Sequence, residues 1–235
     1  MSTVIRASKF PKEFIKDLQL EFNSTSTVDI LAGSCRDEDD THDIVSDSTI
    51  NVDITSSGAG GLDTGSEASN THYFVWIIKN TDSGVIDGIL STSSSSPTMP
   101  SGFNVRRLLG SVRNNVGSNF FDFKMFGAGS NRFVEYMENS GTTMRALSAG
   151  TAGTKTNVDL SSFVPSISEE VYLQGTNTAT GVCQLRPDTY SINAVAAVSG
   201  GSSIFRMFAP GQIVEYSVIG GGSLNLDCLG FYLNL

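Results

Sequence analysis

From Ser24 onward no apolar run in this sequence outlasts a single β-strand, and that limit decides the fold class. "YFVWIIK" (73–79) is the longest, a continuous run of aromatic and β-branched residues of the kind that fills a buried strand. "TVDILAGS" and "STINVDIT" alternate with period two, as half-buried strands do. "GVIDGILST", "VRRLLGSV", "NFFDFKMF", "RFVEYM", "EEVYLQG", "GVCQLRP", "SIFRMF", "QIVEYSVI" and "LNLDCLGFYLNL" follow, parted by the turn signals "GAGG", "NTDSG", "PSG", "NNVGSN", "ENSG" and "VSGG". Short strands at close intervals with no helical periodicity predict an all-β, antiparallel β-sandwich, jelly-roll-like in arrangement.

Residues 1–23 read differently. Lys9, Lys12 and Lys16 alternate with Phe10, Phe14, Ile15 and Leu18, and Pro11 stands where a short helix begins, with Phe14, Leu18 and Phe22 on one face. An isolated turn of this kind is barely stable alone. Two readings stand: an arm packed on its own domain, or an arm that docks on a neighbouring subunit through Phe10, Phe14 and Leu18. The expected organisation is a docking arm at 1–23 and one β-sandwich at 24–235, with the small, nearly chargeless "SAGTAGTK" (148–155) as the place where a subdivision would fall.

Charge narrows the partners. Only 17% of residues are charged, against about 25% in an average soluble domain, and the net charge is −9. An acidic surface repels phosphate backbones and anionic lipid, so neither nucleic-acid binding nor membrane insertion is expected. The opening "MSTVIRASKFPKEFIKD" is polar, so synthesis in the cytoplasm without an export leader is expected. Cys35, Cys183 and Cys228 are far apart and odd in number, which favours buried free thiols over a zinc or redox pair, with a Cys183–Cys228 disulfide as the alternative.

Three pieces, "AGSCRD" (32–37), "GAGGLDTGSEASNTHYFVWII" (58–78) and "GVIDGILSTSSSSPTMPSGFNVRRLLGSVRNN" (84–115), occur in an order that resembles a module of tailed-bacteriophage virion proteins. In that module a GGLDTG turn leads to an aromatic strand, a hairpin, a Ser/Thr-Pro stretch, PSG and an RRxxGSVR strand. The resemblance implies a non-enzymatic structural component of the virion, of the tail-fibre, tail-appendage or head-decoration type. It also implies an oligomer, expected here as a homotrimer, that meets other virion proteins. The alternative it carries is a host receptor- or glycan-binding module that touches surface polysaccharide. The acid cluster after Cys35 departs from the module, and the long shafts of full fibres are missing.

Residues that would carry chemistry are few. "RDEDDTHD" (36–43) reads as a solvated acidic loop; its alternative is a Ca²⁺ loop using Asp37, Asp39 and Asp43, although the spacing has neither the glycine nor the twelfth-position glutamate of an EF-hand. His42 and His72 are the only histidines, and neither stands near a nucleophile turn. No local carboxylate pair is nominated from Asp87, Glu135, Glu169 and Asp188, so no catalytic residue and no cofactor is expected. Trp76 reads as core. Tyr73, Phe103, Tyr136 and Tyr190 are the aromatics near turns that would stack on a sugar. Arg106 and Arg107 are adjacent on one strand and point to opposite faces, one toward solvent and one into a buried or intersubunit ion pair with a carboxylate, preferably the intersubunit one, with an anionic-glycan contact as the alternative.

Overall fold

A computed structural model describes residues 9–138, 143–188 and 196–235. It is all-β: antiparallel sheets arranged as a β-sandwich, with a single 3₁₀ turn at Pro210–Gln212 as the only helical element among the described residues. The chain divides into two compact units, one of residues up to 120 with 125–132, the other of 121–124 with 133–234. The division falls within 121–132, and "SAGTAGTK" lies inside the second unit.

The first unit contains β1 (Ile15–Asp17), β2 (Leu20–Phe22), β3 (Thr27–Ile30), β4 (Gly33–Arg36), β5 (Asp43–Ser46), β6 (Ile50–Asp53), β7 (His72–Lys79), β8 (Ile86–Ser91) and β9 (Val105–Arg113). The chain changes units in β10 (Phe123–Ala128) and β11 (Asn131–Tyr136). The second unit continues with β12 (Arg145–Gly150), β13 (Thr156–Asp159), β14 (Glu170–Pro187), β15 (Ala196–Phe208), β16 (Ile213–Ile219) and β17 (Leu224–Asn234).

The helix expected after Pro11 is replaced by two short strands. β1 pairs with β4 and β2 pairs with β3, so this segment is woven into its own unit. Asp17 and Leu18, both with positive φ (58° and 52°), kink the chain between the two strands. The kink is held by Arg132, which is 2% exposed and donates to the carbonyls of Asp17 (2.7 Å), Leu18 (3.1 Å) and Gly129 (2.9 Å). The spacing that suggested a helix face instead sends Leu18 wholly into the core. Residues 1–8 of the expected arm lie outside the described residues.

In the first unit the sheet β8–β7–β9 faces the sheet containing β3 and β6. Gly88 of β8 marks how closely they approach: a Cβ there would come within 2.7 Å of Ile30 Cδ1 and nearer still to Val52 Cγ2. Gly88→Ala therefore overpacks the sandwich, and a loss of about 1–3 kcal/mol is expected in urea unfolding; no loss would mean the sheets part freely. On β9 the register slips between the Val75–Gly110 and Trp76–Leu108 pairs, leaving Leu109 as a bulge.

The second unit is organised around β14. Its one side pairs with β15 from Glu170–Phe208 to Leu185–Ala196. Its other side pairs first with β17 (Glu170–Tyr232 to Asn177–Leu224) and then, from Val182–Ile219 onward, with β16. A strand that changes partners in this way turns the corner between two layers. β13 adds to β16 and β12 to β17. Val171, Leu173, Leu185, Leu226 and Phe231 alternate inward to make the core, and Asp227, itself buried, is paired with Arg145.

The three cysteines are free and buried. Burial pushes the thiols of Cys35 and Cys228 up to about 12 and raises that of Cys183 as well. Since the thiolate is the reactive form, a disulfide-exchange reagent at pH 8 is expected to label none of them in the folded protein and all three in guanidinium; rapid native labelling would contradict the burial.

Candidate interaction surfaces

The acidic segment is the turn that joins β4 to β5. Asp37, 2% exposed, accepts hydrogen bonds from the Thr41 N–H (2.7 Å), the His42 N–H (2.9 Å) and the Thr41 hydroxyl (2.8 Å). Burial alone would raise its pKa, but these donors outweigh burial and hold the carboxyl below its ordinary range. Arg36 meets Asp43 at 3.0 Å and Asp40 at 3.8 Å. Asp40 also accepts the Glu13 N–H (2.7 Å), and Asp43 the Lys9 N–H (2.9 Å). Asp39 points to solvent. Asp37, Asp39 and Asp43 are thus drawn to different surroundings, and among the described residues no group of three acidic, His or Cys side chains converges on a metal position. The segment ties the first strands together.

A folded-state carboxyl pKa below the unfolded 3.8 contributes stability above pH 3.8 and loses it as pH falls through the folded value. Asp37→Ala is expected to cost about 1.5–3 kcal/mol at neutral pH, with the gap to wild type narrowing below pH 3.8 because wild type then loses the same bonds. A pH series of urea titrations reads this directly, and a gap that stays constant to pH 2 would refute it.

Glu38 closes an edge. Its N–H donates to the Arg106 carbonyl (2.9 Å) and its carboxylate accepts the Leu108 N–H (2.9 Å), so it takes the place of a neighbouring strand along β9. The opposite edge, that of β8, is covered by residues 60–63: the Gly60 N–H donates to the Gly88 carbonyl, Leu90 donates to Gly61, and Asp63 donates to Leu90. The "GGLDTG" turn is therefore an edge strip, and Asp63 reaches on to accept the Thr98 N–H (2.8 Å). Covered edges cannot pair with the wrong strand.

Between β8 and β9 the serine tract does not pass from one sheet to the other, as a sandwich crossing would. Both strands flank β7 in one sheet, so the tract crosses over β7. Trp76 donates its indole N–H to the Ser93 carbonyl (3.3 Å), and Arg106 lies over the Trp76 ring (5.6 Å) while donating to the Ser95 carbonyl (3.2 Å). Arg107 points to the other face, as adjacent strand residues must, and meets Glu38 at 3.9 Å. Of the two pairings expected, buried or intersubunit, the structure holds the buried one, inside the unit.

Of the aromatics expected to stack on sugar, Tyr73 and Tyr136 are buried. Tyr73 is 1% exposed and its hydroxyl accepts the Ala68 N–H (2.7 Å). Tyr136 is 6% exposed and packs edge-on against Phe121 and Phe231. Phe103 is half-buried in a turn of the first unit, and Tyr190 lies outside the described residues. Of the expected docking residues, Phe10 and Phe14 stack on one another (4.5 Å between centroids) and are half-buried, whereas Leu18 has no surface to offer.

The outer face of the second unit holds what the sequence did not announce. Phe133 of β11 stacks on Tyr232 of β17 (4.5 Å) and meets Tyr172 of β14 edge-on (5.4 Å). Arg206 of β15 covers Tyr232 (3.8 Å) and pairs with Glu170. The row crosses four strands, seated by Gly230, where a Cβ would lie 3.1 Å from the Phe133 ring. Alternation was the available signal: Tyr172 is out of phase with Val171 and Leu173, and Tyr232 with Phe231 and Leu233. What alternation does not give is that these strands are neighbours. Beyond the row, Ile204 and Phe208 are 52% and 54% exposed on β15. No family model matches this chain, and no curated protein and no solved structure matches it either.

Proposed function

We propose that this chain is a non-enzymatic structural protein of a tailed-bacteriophage particle, a tail appendage or capsid decoration that assembles with copies of itself and with other virion proteins after synthesis in the host cytoplasm. The observation that carries this reading is where the three resembling pieces meet. "AGSCRD" supplies β4 and leads into Glu38, which covers β9; "GAGGLDTG" covers β8; "GVIDGILS" and "RRLLGSVRNN" are the strands so covered. The residues that carry the resemblance form the sheet β8–β7–β9 and, from β4 and residues 60–63, the segments that lie along its edges, and many of their polar groups bond backbone. That is the chemistry of a building part.

Attachment to host polysaccharide is less well supported, because both faces of Tyr232 are occupied, one by Phe133 and one by Arg206, and a sugar needs an open ring face. The test is composition. Particles purified after induction of the replicon that encodes this chain are expected to contain it, by mass spectrometry, in fixed proportion to the major capsid protein, and to bind antibody against it in electron micrographs. Its confinement to the lysate with none in washed particles would overturn the proposal.

A further inference from the structure

The chain shields its strand edges with care, and one long edge is left out. β9 is covered at Arg106 and Leu108 by Glu38, and β8 by residues 60–63; β13 is four residues long and ends on Asp159. β15, by contrast, runs from Ala196 to Phe208 and pairs with β14 alone among the described residues. Along one side of it, every second N–H and C=O points away from β14 and asks for an extended partner. Edges of this length are ordinarily blunted by lysine, proline or inward charge. "SGGSSIFRMF" (199–208) has no lysine and no proline, and its one charge, Arg206, is folded back over Tyr232 and Glu170 of its own sheet.

We infer that β15 is the contact through which two copies of this chain join, edge to edge and antiparallel, about a two-fold axis. Charge argues for a second copy. Each chain carries −9, so copies repel wherever their acidic surfaces meet, and this edge bears no acidic residue. Pairing satisfies the outward backbone groups of both strands and sets Ile204 and Phe208 of each copy on one face of a joined sheet. The contact is isologous, so it builds pairs, and the homotrimer expected from the sequence gives way to an even number of copies. This deepens the self-assembly in the proposed function and rests on it.

Size-exclusion chromatography with light scattering on the full chain tests it. The wild-type mass is expected at twice the 25.0 kDa of one chain. Ile204→Lys, at an exposed position, places two ammonium groups near the axis and is expected to raise the concentration for half-dissociation at least about tenfold, since like charges opposed across strands repel. Ile219→Lys, equally exposed on β16, adds the same charge elsewhere and is expected to keep the wild-type mass. Amide exchange needs no substitution: outward amides of 201–208 should be protected at high protein concentration and lose that protection on dilution. A wild-type monomer at every concentration, a trimer, or an Ile204→Lys protein of unchanged mass would each overturn the inference. A monomer that is still found in washed particles would overturn this contact and the self-assembly, and leave standing the proposed place of the chain in the particle.

Discussion

Replacing Arg132 with methionine is expected to destabilise the first unit by about 3–5 kcal/mol, the largest effect of any single side chain described here. Arg132 is among the largest wholly buried side chains, and burial draws its pKa down from the ordinary arginine range. It nonetheless remains charged, because three backbone carbonyls, those of Asp17, Leu18 and Gly129, accept from it. Those carbonyls lie at the kink between β1 and β2 and in the turn before β11. Methionine fills most of the volume and supplies no donor, so each carbonyl is left dry, at about 1–3 kcal/mol apiece before relaxation. Arg132→Lys is expected to recover little, since one ammonium cannot span the three directions that a planar guanidinium reaches. Urea titration of both variants measures this, and a methionine variant within 1 kcal/mol of wild type would mean that water serves the kink as well.

Gly230→Val is the second large effect, expected at about 3 kcal/mol or more. A Cβ at this position of β17 would press on the Val134 carbonyl oxygen and lie 3.1 Å from the Cα of Glu135. Backbone on a paired strand cannot swing aside as a side-chain tip does, so β11 must move from β17. The Phe133 ring, which rests over Gly230, would be displaced with it, breaking the stack on Tyr232. Two readings of one experiment separate these consequences. Loss of stability reports the backbone clash, and loss of near-ultraviolet circular dichroism from the Phe133–Tyr172–Tyr232 cluster reports the stack. Gly230→Val folding with wild-type stability and spectrum would show that the strands are not held at this spacing.

These two residues also mark what the sequence conceals. Strands such as "YFVWIIK" and "EEVYLQG" are legible because alternation and β-branching are local properties. Arg132 is not, because the kink it holds lies over a hundred positions upstream, and Phe14, Leu18 and Phe22 suit a helix face until the chain bends at Asp17. The change of units at 121–132 is hidden for a similar reason: "FFDFKMFGAGSNRF" looks like an ordinary hairpin, while the flexible-looking "SAGTAGTK" is claimed by β12 and leads into β13. Tyr73 and Tyr136 stand near turns in sequence, yet their strands turn them inward. The acid cluster was legible as a loop but not as a set of caps, since its donors include the backbone of Lys9 and Glu13.

The partnerships of β17 govern the order of events during synthesis. The sheet of the second unit places β17 between β14 and β11, with β12 also paired to it. β14 and β15 are sequence neighbours and can zip together as soon as both have left the ribosome, whereas Arg145 must wait for Asp227 and Glu170 for Tyr232. Closure of this unit is therefore delayed until residue 234 has emerged, and distant pairings of this kind fold slowly, on the order of milliseconds to seconds. Throughout that interval the nascent chain presents a nearly uncharged hairpin to its surroundings, which makes crowded polysomes the setting in which premature pairing between neighbouring chains would begin.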